Sequence, residues 1–154
     1  MSFYTEVTTS KISEAQLFLD NPDPACGAEV LFLGRVRDLN VGQKVIAVSY
    51  DAFKPLTEKV FLQIYTETLS KWGPHLNAKI IHRIGKLFPG EISVAILVAT
   101  PHRDECYKAS RYIIEELKTR SPIWKKEHYE NNETEWLQGH ALCQHNHSGL
   151  EPNL

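Results

Sequence analysis

From Leu56 to Trp72 the residues Leu56, Val60, Phe61, Ile64, Tyr65, Leu69 and Trp72 form one stripe at helical spacing. Gly73-Pro74 supplies the stop. A second amphipathic stretch, Asp104 to Thr119, turns Cys106, Ala109, Ile113, Ile114 and Leu117 inward and leaves Asp104/Lys108 and Arg111/Glu115 as outward pairs. Elsewhere the period is two. Residues Gly27 to Arg37 place Ala28, Val30, Phe32, Gly34 and Val36 on one face of a strand, and Leu31, Leu33, Arg35 and Arg37 on the other. Val45 to Phe53 reads as the next strand, and the turn-forming Asp38–Gln43 between them predicts a hairpin. Ala78 to Leu87 reads as one strand, Pro89-Gly90 as a turn, and Ile92 to Thr100 as a central strand covered on both faces. A short opening strand (Phe3–Val7), a helix capped by Ser13 and running to about Leu19, and a closing hairpin (Ile123–Tyr129 and Thr134–Leu137 around Asn131-Asn132) complete the pattern. The fold class is α+β, with a mostly antiparallel sheet packed by two main helices.

A chain of 154 residues with 42% hydrophobic and 23% charged residues has the composition of a single globular domain. That domain is expected over residues 1–138, with 139–154 as a polar tail. The opening residues do not resemble a secretory signal, and the longest apolar run, Val94–Ala99, is far too short to span a bilayer. A cytoplasmic protein is expected. Cys26, Cys106 and Cys143 are odd in number and widely spaced, which argues for reduced thiols rather than a disulfide framework or a thiol-based metal site. Nucleotide-binding glycine motifs are absent from the sequence. The net charge of -2 hides a partition: residues 1–100 carry 10 basic and 10 acidic residues, 101–126 carry 7 and 4, and 127–154 carry 0 and 5. A basic segment within a near-neutral chain suits a small anionic ligand better than a nucleic acid.

Two places in that segment have the residue types for anion chemistry. At Thr100-Pro101-His102-Arg103-Asp104 a strand hands over to a helix whose N-terminal amides favour an anion, with His102 and Arg103 as charged donors. The alternative is that His102 bonds the backbone and Arg103 pairs with a surface carboxylate. At the far end of the helix, Lys118-Thr119-Arg120-Ser121-Pro122-Ile123-Trp124-Lys125-Lys126 sets lysines on both sides of a proline-fixed turn. The Ile123-Trp124 pair is expected to help hold the lysine that follows. Alternation sends Lys125 and Lys126 to opposite faces, so at most one of them shares a pocket with Lys118. A lysine in a partly dry pocket can act as acid, base or nucleophile.

Five segments taken together, Gly34-Arg35-Val36-Arg37-Asp38, Ile81-His82-Arg83-Ile84-Gly85, Pro89-Gly90-Glu91, His102-Arg103 and Leu117 through Glu127, resemble the large, catalytic subunit of molybdopterin synthase. The resemblance runs from about residue 3 to Trp136. It implies an α/β-hammerhead fold with an additional antiparallel β subdomain, and a homodimer carrying one small subunit on each copy, so a heterotetramer. Those partners are ubiquitin-like sulfur carriers ending in a thiocarboxylated Gly-Gly. The implied reaction moves two sulfurs to cyclic pyranopterin monophosphate, making the molybdopterin dithiolene of molybdenum cofactor biosynthesis. Carried over by position, Lys118 and Lys125 are the catalytic lysines, and Arg37, His102 and Arg103 join them in binding the substrate. No cofactor or metal of the enzyme's own is implied, and neither nucleic acid nor membrane is a partner.

Other charged residues fit less directly. His82 and Arg83 alternate on their strand, so one of them is expected to be a packed or surface residue, and Arg35 is expected in a structural ion pair. The family commonly has an arginine shortly after the tryptophan matched by Trp136, where this chain reads Leu137-Gln138-Gly139-His140. His140, Cys143, His145 and His147 are metal-ligand types, but their spacing fits no standard closed zinc site and reads as a solvated tail. A function of another class is a non-catalytic dimeric adaptor that holds a ubiquitin-like tail or a phosphorylated ligand. The presence of both lysines favours the enzyme.

Overall fold

The computed structural model describes residues 3–19, 21, 23–131 and 134–136. Two sheets share one core. The first contains β1 (Phe3–Thr8), β2 (Ala28–Arg35), β5 (Asn77–Arg83) and β7 (Ile92–Thr100) in the order β1-β5-β7-β2. Only the β1–β5 pair in it is parallel. The second follows the order β3-β4-β8-β9, from β3 (Leu39–Asn40), β4 (Gln43–Ala52), β8 (Ile123–Tyr129) and β9 (Thr134–Trp136), while β6 (Gly85–Leu87) also pairs with β4. Helices α1 (Lys54–Trp72) and α2 (Arg103–Arg120) pack on the first sheet. The architecture is the α+β arrangement expected, with the added antiparallel sheet.

Residues Ile80, Ile96 and Val98 join Phe61, Ile64, Ile113 and Leu117 in the main core, all essentially inaccessible to solvent. On the opposite face Ile81 and Ala95 are covered by Ile12 and Leu17, so β7 is buried on both sides as its composition requires. Pro55 occupies the first turn of α1, where a missing amide costs nothing, so this helix begins before Leu56. The segment after Ser13 forms only a short 3-10 helix, Glu14–Leu17, before the chain turns extended at Phe18.

Two strand expectations are corrected. First, β2 and β4 do not form a hairpin: β2 pairs with β7 and β4 lies in the other sheet. The cause is local. Register slips at Gly34/Arg35, and Val36 then exchanges backbone hydrogen bonds with the 88–91 turn, accepting from the Gly90 amide at 2.8 Å and donating to the Glu91 carbonyl at 3.0 Å. The tight hairpin is instead β3–β4, closed by Val41 and Gly42 at φ 47° and 76°. Second, the 78–87 stretch is two strands. Gly85, at φ 94°, turns the chain from the first sheet into the second. The closing β8–β9 hairpin is present as expected, whereas Leu137, the His/Cys pattern and the missing-arginine position lie outside the described residues.

Candidate functional site

Strand β8 sorts its charged residues by simple alternation. Ile123, Lys125, Glu127 and Tyr129 face inward, while Trp124, Lys126 and His128 face outward, so Lys125 and Lys126 part company as expected. Trp124 is 46% exposed and lies on the face opposite Lys125, so it does not hold that lysine. That task falls to Glu127, which the sequence reading did not single out. Its side chain is 3% exposed and lies 2.5 Å from the Lys125 ammonium. The other carboxylate oxygen accepts from the Tyr129 hydroxyl at 2.6 Å and from Asn40 Nδ2 at 2.7 Å. Burial pushes the Glu127 carboxyl upward, but its bonds to Lys125 and Tyr129, the Lys125 charge and the Asn40 bond outweigh it and leave the group below its ordinary value. Glu127 is therefore an anion at neutral pH. The available signal was its i+2 spacing from Lys125, which puts both on one strand face.

Arg37 meets this group from the segment after β2. With Lys125, Glu127, Asn40 and Tyr50 it lines a narrow cavity of about 40 Å³. Such a space holds a water or two and excludes a bicyclic ligand. The cavity shares Val36, Arg37 and Leu39 with an open groove of about 580 Å³ walled by Asp38, Pro89 and Gly90, a volume in the range of small-molecule sites. The groove wall is pinned by Arg35, whose guanidinium donates to the Gly90 carbonyl at 2.7 Å rather than forming the ion pair expected of it. Glu91 fixes the same turn: it accepts from the Phe88 amide, and it pairs with Lys11 at 3.0 Å and with Arg83 at 3.3 Å. These contacts hold its carboxyl down at about 2, the backbone bond being the largest cause.

His82 and Arg83 are both buried, and His82 is the packed residue expected of the pair. Arg83 supports Glu91. His82 packs edge-on against Tyr50 at 5.4 Å and shares a hydrogen bond between Nδ1 and the Arg83 carbonyl at 2.9 Å. Desolvation lowers its pKa to about 4, so the ring is neutral and joins the two sheets.

Lys118 lies half-buried in the last turn of α2, where its charge complements the helix dipole. Among the described residues it has no hydrogen-bond or ion-pair partner. Only Ser121 and Pro122 separate Arg120, at the helix end, from β8, so Lys118 and Lys125 flank one short connection. His102 and Arg103 stand at the other end of the same helix. His102 is its N-cap, both side chains are exposed, and neither has a hydrogen-bond or ion-pair partner among the described residues. The carboxylate pairing foreseen as the alternative for Arg103 is not formed: Asp104 instead pairs with Lys108 at 2.6 Å. Together they line a separate open groove of about 510 Å³ with Asp104, Glu105 and Tyr107. With a rise of 1.5 Å per residue, Arg103 and Lys118 are about 22 Å apart along the helix axis. The fold thus gathers Arg37 and Lys125, sets Lys118 beside their strand connection, and leaves His102 and Arg103 remote within one chain.

Cys26 and Cys106 are free thiols, and burial is the main cause raising each above its ordinary value. Neither is activated as a nucleophile.

Solved structures share this α+β fold. The family pattern of the MoaE protein matches residues 7–120. The molybdopterin synthase catalytic subunit of Synechococcus elongatus is 43% identical over 126 residues, covering 82% of this chain and 76% of that protein. The crystal structure of molybdopterin synthase from Staphylococcus aureus superposes with a TM-score of 0.81 at 37% identity, over 86% of this chain and 96% of that one. A Helicobacter pylori chain, from a complex of subunits 1 and 2 of molybdopterin-converting factor, shares the fold at a TM-score of 0.69 and 18% identity, with 90% and 91% covered. The chain belongs to the MoaE family, the sulfur-transferring catalytic subunits of molybdopterin synthase.

Proposed function

We propose that this subunit takes sulfur from the C-terminal thiocarboxylate of a small ubiquitin-like carrier and delivers it, twice, to cyclic pyranopterin monophosphate. The observation that carries this reading is the shared cavity of Arg37 and Lys125, with Lys118 across one short turn. Both reactants are anions, and clustered cations attract a phosphate and a thiocarboxylate alike. In the proposed sequence the carrier sulfur attacks a pterin side-chain carbon that bears a cyclic-phosphate oxygen; that C–O bond breaks, the phosphate remains attached by its other ester bond, and a thioester links carrier and pterin. Water then adds to the thioester carbonyl, Lys118 stabilises the oxyanion, and the carrier leaves as a carboxylate while sulfur stays on the pterin. Lys125 assists proton transfer as the cyclic phosphate opens. The enzyme supplies no thiol, in keeping with the raised pKa values of both described cysteines.

His102 and Arg103 belong to this reading through a homodimer. About 22 Å of rigid helix keeps them from the Lys118 end of their own chain, so their anion-binding role is proposed for the site of a second copy. A small-subunit partner is supported by the two-subunit composition of the H. pylori relative. A cytoplasmic setting is part of the proposal, and no described helix is long and apolar enough to cross a membrane.

The test is reconstitution with a thiocarboxylated carrier and the cyclic pterin. Wild-type protein should form dithiolene product and Lys118→Ala should reduce the rate by at least about 100-fold, the scale of a lost oxyanion contact. Near-normal product from Lys118→Ala sinks the mechanism, and no product from wild type with intact reactants favours an adaptor.

A further inference from the structure

Helix α1 contributes no residue to the cavity, yet it braces the segment that bears both lysines at two points. One brace is backbone: the Pro122 carbonyl, midway between α2 and β8, accepts from the Phe53 amide and from the Thr57 hydroxyl, each at 3.4 Å. The other is a side-chain fork. Arg120 donates through Nη1 to Glu67 Oε2 at 2.7 Å and through Nη2 to Glu67 Oε1 at 2.9 Å. Tyr112 donates to the same carboxylate at 2.7 Å, and Glu116 accepts from Arg120 at 3.1 Å. Parallel bonds from a planar guanidinium fix direction as well as distance, which a lysine in the same place cannot do.

Arg120 is two residues beyond Lys118, and at 100° per residue the two project about 200° apart around α2. The fork therefore sets the rotation of the last helical turn from the α1 side, and with it the direction in which Lys118 leaves the opposite flank. We propose that Glu67, acting through Arg120, is a positioning residue for Lys118. The proposal rests on the reading of Lys118 as catalytic. Both partners of the fork are about a third exposed, 31% for Arg120 and 39% for Glu67, and ion pairs of that exposure add little to stability. The effect belongs in the rate. The Arg120 bond, with help from Tyr112, holds Glu67 near a pKa of about 2, so the fork is ionised throughout the working range and adds no inflection to a pH profile.

The experiment compares wild type, Arg120→Lys, Glu67→Gln and the reversed pair Glu67→Arg/Arg120→Glu in the reconstituted assay, each also in a Lys118→Ala background. Arg120→Lys and Glu67→Gln should lower kcat by about tenfold, the scale of a sub-ångström misplacement, with KM for the carrier changed less than about twofold. The reversed pair should recover part of that loss. In the Lys118→Ala background the same changes should leave the residual single-turnover rate within about twofold, because residues acting through one another are not additive. Equal losses in both backgrounds, or an unchanged kcat in folded Arg120→Lys, overturn the proposal. A second readout needs no turnover: NMR of reductively methylated protein should show the Lys118 ammonium resonance moving toward the free-lysine position in Arg120→Lys, and an unmoved resonance overturns it equally. Inactive wild-type protein counts against the reaction assigned to Lys118, and the NMR result then still decides whether the fork orients it.

Discussion

Replacing Glu127 by glutamine tests the architecture of the cavity with the least change in shape. The carboxylate accepts three hydrogen bonds, from Lys125, Tyr129 and Asn40, and is 3% exposed. A glutamine oxygen can still serve Tyr129 and Asn40, but its amide then points two donor hydrogens at the Lys125 ammonium. A charge-assisted bond worth about 1.5–3 kcal/mol is lost. Leaving a fully buried partner unpaired costs about 3–5 kcal/mol. Lys125 is 19% exposed and recovers some hydration through the cavity, so about 2 kcal/mol is expected in total. For a chain of this size that corresponds to a fall in Tm of roughly 4–8 °C. Differential scanning calorimetry gives the stability change. The reconstituted assay should show kcat down by about tenfold or more with carrier KM little altered, since Glu127 is shielded from any docked partner. Glu127→Asp, which keeps the charge on a shorter arm, should lie between the two. A Glu127→Gln variant with wild-type Tm and kcat would falsify the view that this carboxylate fixes Lys125.

Two further outcomes follow from other parts of the fold. His82 has a folded pKa of about 4 against an ordinary 6.5, so the unfolded state takes up its proton first: stability is complete above about pH 6.5 and falls as pH drops toward 4. The difference amounts to roughly 3 kcal/mol, and urea denaturation at pH 7, 5.5 and 4 should show a slope there that His82→Leu flattens; parallel slopes refute the assignment. Val41 holds φ 47° in the β3–β4 turn while 74% exposed, a conformation costing a β-branched residue about 1–2 kcal/mol. Val41→Asn should therefore raise Tm by roughly 2–4 °C in a thermal scan, and an unchanged or lower Tm removes the strain argument.

Periodicity alone located both helices, the doubly covered β7 and the closing hairpin, because each is decided by residues adjacent in sequence. It also separated Lys125 from Lys126, since strand alternation is a local rule. The ordered motifs from Arg37 to Glu127 identified the family, because the chemistry they serve constrains residue types at fixed intervals. Strand pairing was not local. Whether β2 folds back on β4 or joins β7 depends on Val36 meeting the 88–91 turn, a contact across more than fifty residues that no pattern around Val36 announces. The roles of Glu127 and Glu67 were hidden for the same reason. A carboxylate becomes an anchor only when folding removes its water and brings a partner from elsewhere, as Asn40 reaches Glu127 beside the neighbouring Lys125, and as Arg120 meets Glu67. Sequence by itself determined which side chains could carry positive charge to an anionic ligand. The tertiary structure decided which of them stand together, placing Arg37 beside Lys125 and holding His102 and Arg103 a helix length from Lys118, because a rigid α-helix fixes the distance between its ends.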